Sequence, residues 1–191
     1  MTAKLFVPDD VEQFLGTLDE ALAARADDPV DLVLTSGGVS AGAYEVVKDA
    51  LTGQGVEFAK VRMQPGMPQG AGRVGAGGEA ATPIVTLPGN PVSSFVSFEV
   101  FLRPAVRAAM GHRDPMRPTL HLPLSAPLDS PAGKRQFRRG VLDAAAATVA
   151  PWGGPGSHLL GWLAGADCML VVREDVTHAD AGEVVEVWLL S

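Results

Sequence analysis

Apolar residues first return at helical spacing: Val11, Phe14, Leu15, Leu18, Ala21 and Leu22 follow Asp9-Asp10, whose carboxylates suit a helix start. The period then changes. Residues 31–35 (DLVLT) and 82–87 are short apolar runs of the kind buried in a parallel sheet, and residues 56–63 alternate roughly as a strand does. Residues 36–42 form a glycine-rich turn, and residues 44–51 the helix after it. Residues 91–110 form a further helix that Pro104 kinks or divides. The order βα, β, loop, βα predicts an α/β unit whose parallel strands are joined through helices.

A polar, turn-rich stretch at residues 111–115 ends that pattern. Short strands with close turns follow, at residues 119–124, 135–142, 148–151, 168–173 and 184–190, and only residues 159–164 look helical. The sequence thus predicts two domains, residues 1–112 and a small β-rich one over 113–191. No internal repeat is visible.

Composition narrows the class. The chain has 191 residues, 47% apolar and 19% charged, which is globular and excludes a disordered tail protein. Its net charge of −7 argues against a general nucleic-acid or anionic-membrane surface. The single cysteine, Cys168, excludes an intrachain disulfide and a cysteine-based zinc site, and fits a reducing compartment. The four histidines, at positions 112, 121, 158 and 178, have no metal-ligand spacing. No apolar run approaches the roughly 18 residues of a membrane span, so the expectation is a soluble cytoplasmic protein. Basic charge is concentrated locally: Lys134, Arg135, Arg138 and Arg139 lie within six positions, with no acidic residue between Asp129 and Asp143.

Two loops carry candidate chemistry. In T-S-G-G-V-S-A-G (residues 35–42), glycines let successive backbone N–H groups converge, and Ser36 and Ser40 add hydroxyls. With Gly37, Gly38 and Gly42 this makes a candidate seat for phosphate or another oxyanion, with an ordinary tight βα turn as the competing reading, and it is neither a Walker A nor a dinucleotide loop. In L-P-G-N-P-V-S (residues 87–93), Pro88 and Pro91 stiffen the turn around Gly89 and Asn90, with Ser93 just inside the next helix. Ligands of open α/β sheets sit beyond the carboxyl ends of strands, so both loops are expected to face one crevice. Asp9 or Asp10 and Glu45 are acidic candidates for a hard cation such as Mg²⁺ beside the anion, although helix capping is the favoured reading of both aspartates. Lys48 and Lys60 are candidate anion partners. In K-R-Q-F-R-R-G (residues 134–140) strand alternation places Arg135, Phe137 and Arg139 on one face. An arginine fork beside Ser157 could then clamp a phosphate or carboxylate, and a solvated strand face is the competing reading.

In this order, V-P-D-D, T-S-G-G-V-S-A-G-x-x-E-x-x-K, L-P-G-N-P-V-S, R-R-G and G-S-H resemble the molybdopterin molybdotransferase (MoeA/gephyrin) family over nearly the whole chain. The resemblance implies an α/β fold: a molybdopterin-binding-type parallel-sheet domain followed by a small β-barrel-like domain. It implies molybdenum cofactor biosynthesis, in which adenylated molybdopterin and molybdate give molybdenum cofactor and AMP with Mg²⁺ assistance. Asp9 and Glu45 then take the acidic positions near the metal and the adenylate phosphates. Glu45 stands where the family usually has Asp. Lys60 matches a basic position suited to molybdate or phosphate. Pro88 and Pro91 shape the pterin crevice, and Arg139 and Ser157 match polar positions of the last domain. The family also implies a homodimer, with molybdopterin adenylyltransferase as a protein partner.

Two departures stand out. The family's Lys-Pro-Gly-Lys-Pro reads Gln64-Pro65-Gly66-Met67-Pro68 here, which removes two cations. The resemblance also begins inside the family pattern, without two N-terminal domains and the opening strand and helix of the α/β domain. The expectation is a chain that retains ligand binding but does not complete molybdenum insertion alone. A non-catalytic molybdopterin- or nucleotide-binding module, or a subunit partner, is the alternative. A molybdopterin adenylyltransferase or nicotinamide-nucleotide-processing relative is a third reading, which residues 87–93 and the added β-domain disfavour.

Overall fold

The computed structural model describes residues 3–25, 27–39, 45–75, 81–154, 156 and 160–190. They fall into two units that interleave along the chain: Met1–Val61 with Pro68–Gly89, and Arg62–Met67 with Asn90–Ser191.

In the first unit, α1 (Val11–Ala23) starts where the carboxylate of Asp10 accepts the Gln13 N–H at 2.8 Å. Strand β1 (Val33–Ser36), helix α2 (Val46–Leu51) and strand β2 (Val56–Lys60) follow. The two-residue strand β3 (Met63–Gln64) belongs to the second unit. The chain then returns through β4 (Pro68–Val74) and β5 (Thr82–Leu87). The four strands lie in the order β1-β5-β4-β2. Only the β1–β5 pairing is parallel, in register from Val33 opposite Ile84 to Ser36 opposite Leu87; β4 is antiparallel to both of its neighbours.

The α/β expectation thus holds, with a mixed sheet in place of a parallel one. Strand β4 escapes sequence reading because two of its positions carry no side chain. A Cβ at Gly70 would strike Thr86 and the Phe58 ring, and one at Gly72 the backbone of Gly55 and Val56. Close strand approach selects glycine there and erases the alternation that would announce a strand. Phe14, Val47, Leu51, Val56, Val74 and Ile84 form the core against which α1 packs its apolar stripe.

The second unit opens with α3 (Pro91–Ser97), a π-helical turn (Phe98–Leu102) and α4 (Arg103–Ala109). Pro104 divides the run: lacking an N–H, it cannot continue the ordinary ladder. The Arg103 N–H reaches back five residues to the Phe98 carbonyl. Strands β6 (Thr119–Pro123), β7 (Leu128–Asp129), β8 (Arg135–Asp143) and β9 (Thr148–Pro151) come next. After them lie α5 (Leu160–Ala164), β10 (Cys168–Val172), β11 (His178–Ala179) and β12 (Val184–Leu189).

The main sheet of this unit runs β3-β8-β10-β12-β6, with β9 also on β8 and β7 paired with β11 apart from it. A bridge between Leu124 and Val149, with the Ser125 N–H on the Val149 carbonyl at 2.9 Å, joins the end of β6 to β9. That bridge brings the sheet round on itself, which is the barrel-like character expected. Leu124, Val149, Cys168, Leu170 and Val187 fill the inside. Every residue of β10 is buried, so it has no solvent face.

Candidate functional site

Register places both candidate loops at one end of the first sheet. Ser36 and Leu87 are paired, so the chains leaving β1 and β5 emerge side by side at the carboxyl ends of parallel strands. The Gly37 N–H donates to the Leu87 carbonyl at 3.1 Å, and a Cβ on Gly89 would lie 3.1 Å from the Gly37 Cα. Gly37 (φ +103°) and Gly38 (φ +68°) are in the left-handed region, which side chains disfavour. At Gly38 space is also limiting, since a Cβ would lie 2.8 Å from Val47 Cγ2. Ser40 and Gly42, named above as site residues, lie outside the described residues.

Helix α2 starts at Glu45, which makes no side-chain cap bond. Its carboxylate instead accepts from the Lys48 ammonium one turn on, and this contact raises the lysine pKa above its ordinary value. Asp9 is exposed, and its neighbour Asp10 is the helix cap. Among the described residues no group of three or more His, Cys, Asp or Glu side chains could hold a metal ion. Lys60 ends β2 at the same end of the sheet as Ser36, but on the opposite edge. Three strand spacings separate them, about 14 Å.

The second loop is a helix start as well as a turn. The Asn90 side-chain oxygen accepts the N–H groups of Val92 and Ser93, each at 3.1 Å, and the Ser93 hydroxyl donates to it at 3.4 Å. Pro91 occupies the first turn of α3. The Asn90 oxygen, expected to be preset for a ligand, is therefore committed to the cap, and Ser93 is buried.

In the second unit Arg138 and Arg139 are not a solvated face: they are 9% and 6% exposed. Arg138 donates to the carbonyls of Asp129 at 3.4 Å and Gly153 at 3.2 Å. Arg139 donates to Gly154 and, at 3.1 Å, to Gly156. Desolvation lowers both guanidinium pKa values from the ordinary value, and at Arg138 the neighbouring Arg139 adds to it. Both side chains thus hold backbone carbonyls of the glycines that follow Trp152: Gly153, Gly154 and Gly156. Ser157 lies outside the described residues. Burial pushes the Cys168 thiol up to about 12, with Asp167 adding to the shift, so it stays neutral and is no nucleophile.

Sequence reasoning missed the buried carboxylate of Glu99 in the π-helical turn. It accepts from Arg117 at 2.8 and 2.9 Å and lies 3.7 Å from Arg103. Its signal was a lone acid inside an otherwise apolar helical run. Also missed was the aromatic pair Trp152–Trp162, whose two halves are separated by the glycine-rich loop.

Comparison with known proteins agrees with this architecture. The family described as "Probable molybdopterin binding domain" matches residues 1–108, and "MoeA C-terminal region (domain IV)" matches residues 121–190. A Mycobacterium tuberculosis protein named molybdopterin molybdenumtransferase 2 is 56% identical over 190 residues, covering 96% of this chain and 44% of its own length. Molybdopterin molybdenumtransferase 1 of the same organism is 38% identical, over 93% of this chain and 42% of its own. The chain therefore spans less than half the length of these relatives. A crystal structure of the molybdopterin biosynthesis MoeA protein from Pyrococcus horikosii superposes with TM-score 0.71 at 26% identity, covering 97% of this chain and 42% of that one.

Proposed function

Since the chain belongs to the molybdopterin-binding-domain family continued by the MoeA C-terminal region, we propose that it binds adenylated molybdopterin in molybdenum cofactor biosynthesis. In a protein of the relatives' full length it is part of a transferase that exchanges AMP for molybdate. Residues 1–112 carry the molybdopterin-binding part and residues 113–191 the C-terminal part. The observation that carries this reading is the close approach of Gly37 and Gly89 where β1 and β5 end together. Two chain reversals without side chains there let an anionic group come close to backbone N–H groups.

The residues divide the work as follows. Ser36, Gly37, Gly38, Ser40 and Gly42 receive the phosphate. Pro88, Gly89, Asn90, Pro91 and Ser93 fix the facing wall, Asn90 and Ser93 by capping α3. Lys60 supplies a cation for molybdate or phosphate, and Arg139 and Ser157 are the polar ligand candidates of residues 113–191. Asp9 and Glu45 would hold Mg²⁺. Two carboxylates without a third donor suit this ion, which keeps waters and takes its remaining oxygens from substrate phosphate. Bound there, Mg²⁺ neutralises phosphate charge. The Lys48 ammonium competes for Glu45 and neutralises it until the ion arrives. No helix among the described residues is long and apolar enough to cross a membrane, and a cytoplasmic setting and a homodimer of the full-length protein complete the proposal. Molybdopterin adenylyltransferase is the partner such a setting calls for.

A non-catalytic binding module remains the second reading, favoured by Gln64 and Met67 standing where the resemblance calls for cations. The test uses the 191-residue chain with adenylated molybdopterin, Mg²⁺ and molybdate, following ligand binding, AMP release and activation of a cofactor-free molybdoenzyme. Binding that tightens with Mg²⁺, without multiple turnovers, is expected. Asp9→Asn and Glu45→Gln should each remove the Mg²⁺ dependence. Absence of binding by the folded wild-type chain overturns the reading, and sustained turnover eliminates the module alternative.

A further inference from the structure

The second unit keeps two large aromatic side chains partly in solvent. Trp152, just past β9, and Trp162, in α5, are 37% and 40% exposed, yet they form an ordered edge-to-face pair with centroids 5.0 Å apart and planes at 81°. The third tryptophan behaves as packing alone would dictate. Trp188 lies against Phe137 with centroids 5.6 Å apart and donates its indole N–H to Glu186 at 2.6 Å.

The exposed pair is built with some precision. Gly153 has φ +70°, and a Cβ on it would lie 2.5 Å from Trp162 Cγ. A Cβ on Gly165 would lie 2.9 Å from Trp152 Nε1. Two glycines thus make room for two indoles that gain only partial burial in return. The Trp152 backbone is tied to β8: its N–H donates to the Arg139 carbonyl at 2.8 Å. The loop that starts beside Trp152 is gripped by Arg138 at Gly153 and by Arg139 at Gly154 and Gly156. Both guanidiniums bring full charge to the underside of this loop, since arginine stays protonated even when desolvated. The Asp129 carboxylate offsets part of this charge at Arg138, so the field that favours an anion near the loop comes chiefly from Arg139.

We propose that Trp152 and Trp162 form a stacking platform for a flat, nitrogen-rich bicyclic ring whose phosphate is drawn by the Arg138–Arg139 field. This rests on the reading that the chain binds a pterin nucleotide, and it names the residues that recognise a ring of that ligand. An indole face takes a purine or a pterin ring equally well, because stacking reads the π-surface and not the edge. Arg138 and Arg139 act through charge and by holding the loop carbonyls of Gly153, Gly154 and Gly156.

The experiment titrates the 191-residue chain with AMP, with 6-hydroxymethylpterin and with inorganic phosphate, reading tryptophan emission and calorimetric affinity. AMP and the pterin are expected to quench emission; phosphate alone does not, but it competes with AMP. Trp162→Leu and Trp152→Leu should weaken AMP binding about tenfold or more. Trp162→Phe should retain most of the affinity while losing part of the emission response. Thermal melts establish which variants fold, and the phenylalanine variants carry the test where leucine fails. Folded leucine variants that bind AMP like wild type overturn the platform and leave the proposed function standing, as does an unaltered emission response in the phenylalanine variants. Failure of both ring ligands to bind wild type overturns both. A doubling of mass with concentration that shields the indoles without ligand assigns the pair to a contact between copies and overturns the proposal.

Discussion

The turn after β1 and the arginine-bearing centre of β8 both gather positive potential, and they do so in opposite ways. In the turn the proposed source of that potential is the backbone itself, approachable because Gly37 and Gly38 hold left-handed conformations and carry no side chain. In β8 it comes from whole charges whose donors already hold the carbonyls of Asp129, Gly153, Gly154 and Gly156. At the turn the Gly37 N–H already holds the Leu87 carbonyl, so a ligand there meets backbone that no side chain shields. A ligand near β8 feels a field and a shaped loop, and gains few direct hydrogen bonds from the arginines. Backbone-built sites depend on conformation at one or two glycines; side-chain-built ones depend on the ion pairs and packing that support them.

Substitution separates the two. The largest effect is expected in the unit built on side chains, at Glu99. Its carboxylate is 2% exposed and faces Arg117 and Arg103, so Glu99→Ala leaves two partly buried guanidiniums without their counter-charge. The expected loss is about 3–5 kcal/mol of stability, read by denaturant unfolding. A midpoint within error of wild type would show that this frame carries no weight. Gly38→Ala comes next and probes the backbone-built turn: the left-handed φ and the approach to Val47 should together cost about 2 kcal/mol and abolish phosphate binding. Retained binding in a folded Gly38→Ala protein would break the contrast between the regions.

The smallest effect concerns His178. Its Nδ1 faces Asp129 at 2.6 Å and its Nε2 faces Asp180 at 3.3 Å, so both bonds form only when the ring is protonated. The Asp129 bond first, then that to Asp180, raises the His178 pKa above 6.5. The stabilisation is complete below the unfolded value of about 6.5 and disappears as pH rises through the raised folded value. Wild type should therefore lose slightly more melting temperature than His178→Asn over that rise, as scanning calorimetry would detect. The same slope in both would remove the histidine from the account.

Much of this was legible in the chain. Strands at 82–87 and 148–151 fall where their apolar runs place them, and Pro104 divides its helix as its missing N–H requires. The pairing of the two loops followed from placing each at the end of a parallel strand. Illegible features have a common cause: the partner that determines them is distant in sequence. Gly70 and Gly72 are explained by Phe58, Thr86 and Gly55, and β3 by Arg135 and Gln136 of β8. The competing reading of residues 134–140 as a solvated strand face fails because Gln136 to Gly140 are all buried, which local sequence does not reveal. Asn90 looked like a ligand donor because a capping oxygen and a binding oxygen have the same local sequence.

The pairing of Met63–Gln64 with Arg135–Gln136 also sets an order of events during synthesis. Strands β2 and β4, which flank this short segment, can pair with each other as soon as both have left the ribosome. The segment between them cannot, because its partner is made roughly 70 residues later, on the order of 4–14 s at typical elongation rates. During that interval Met63, only 3% exposed once folded, is presented to solvent on a loop whose two ends are already fastened. The nascent chain thus offers a hydrophobic handle of fixed position and limited lifetime, and synthesis of β8 withdraws it.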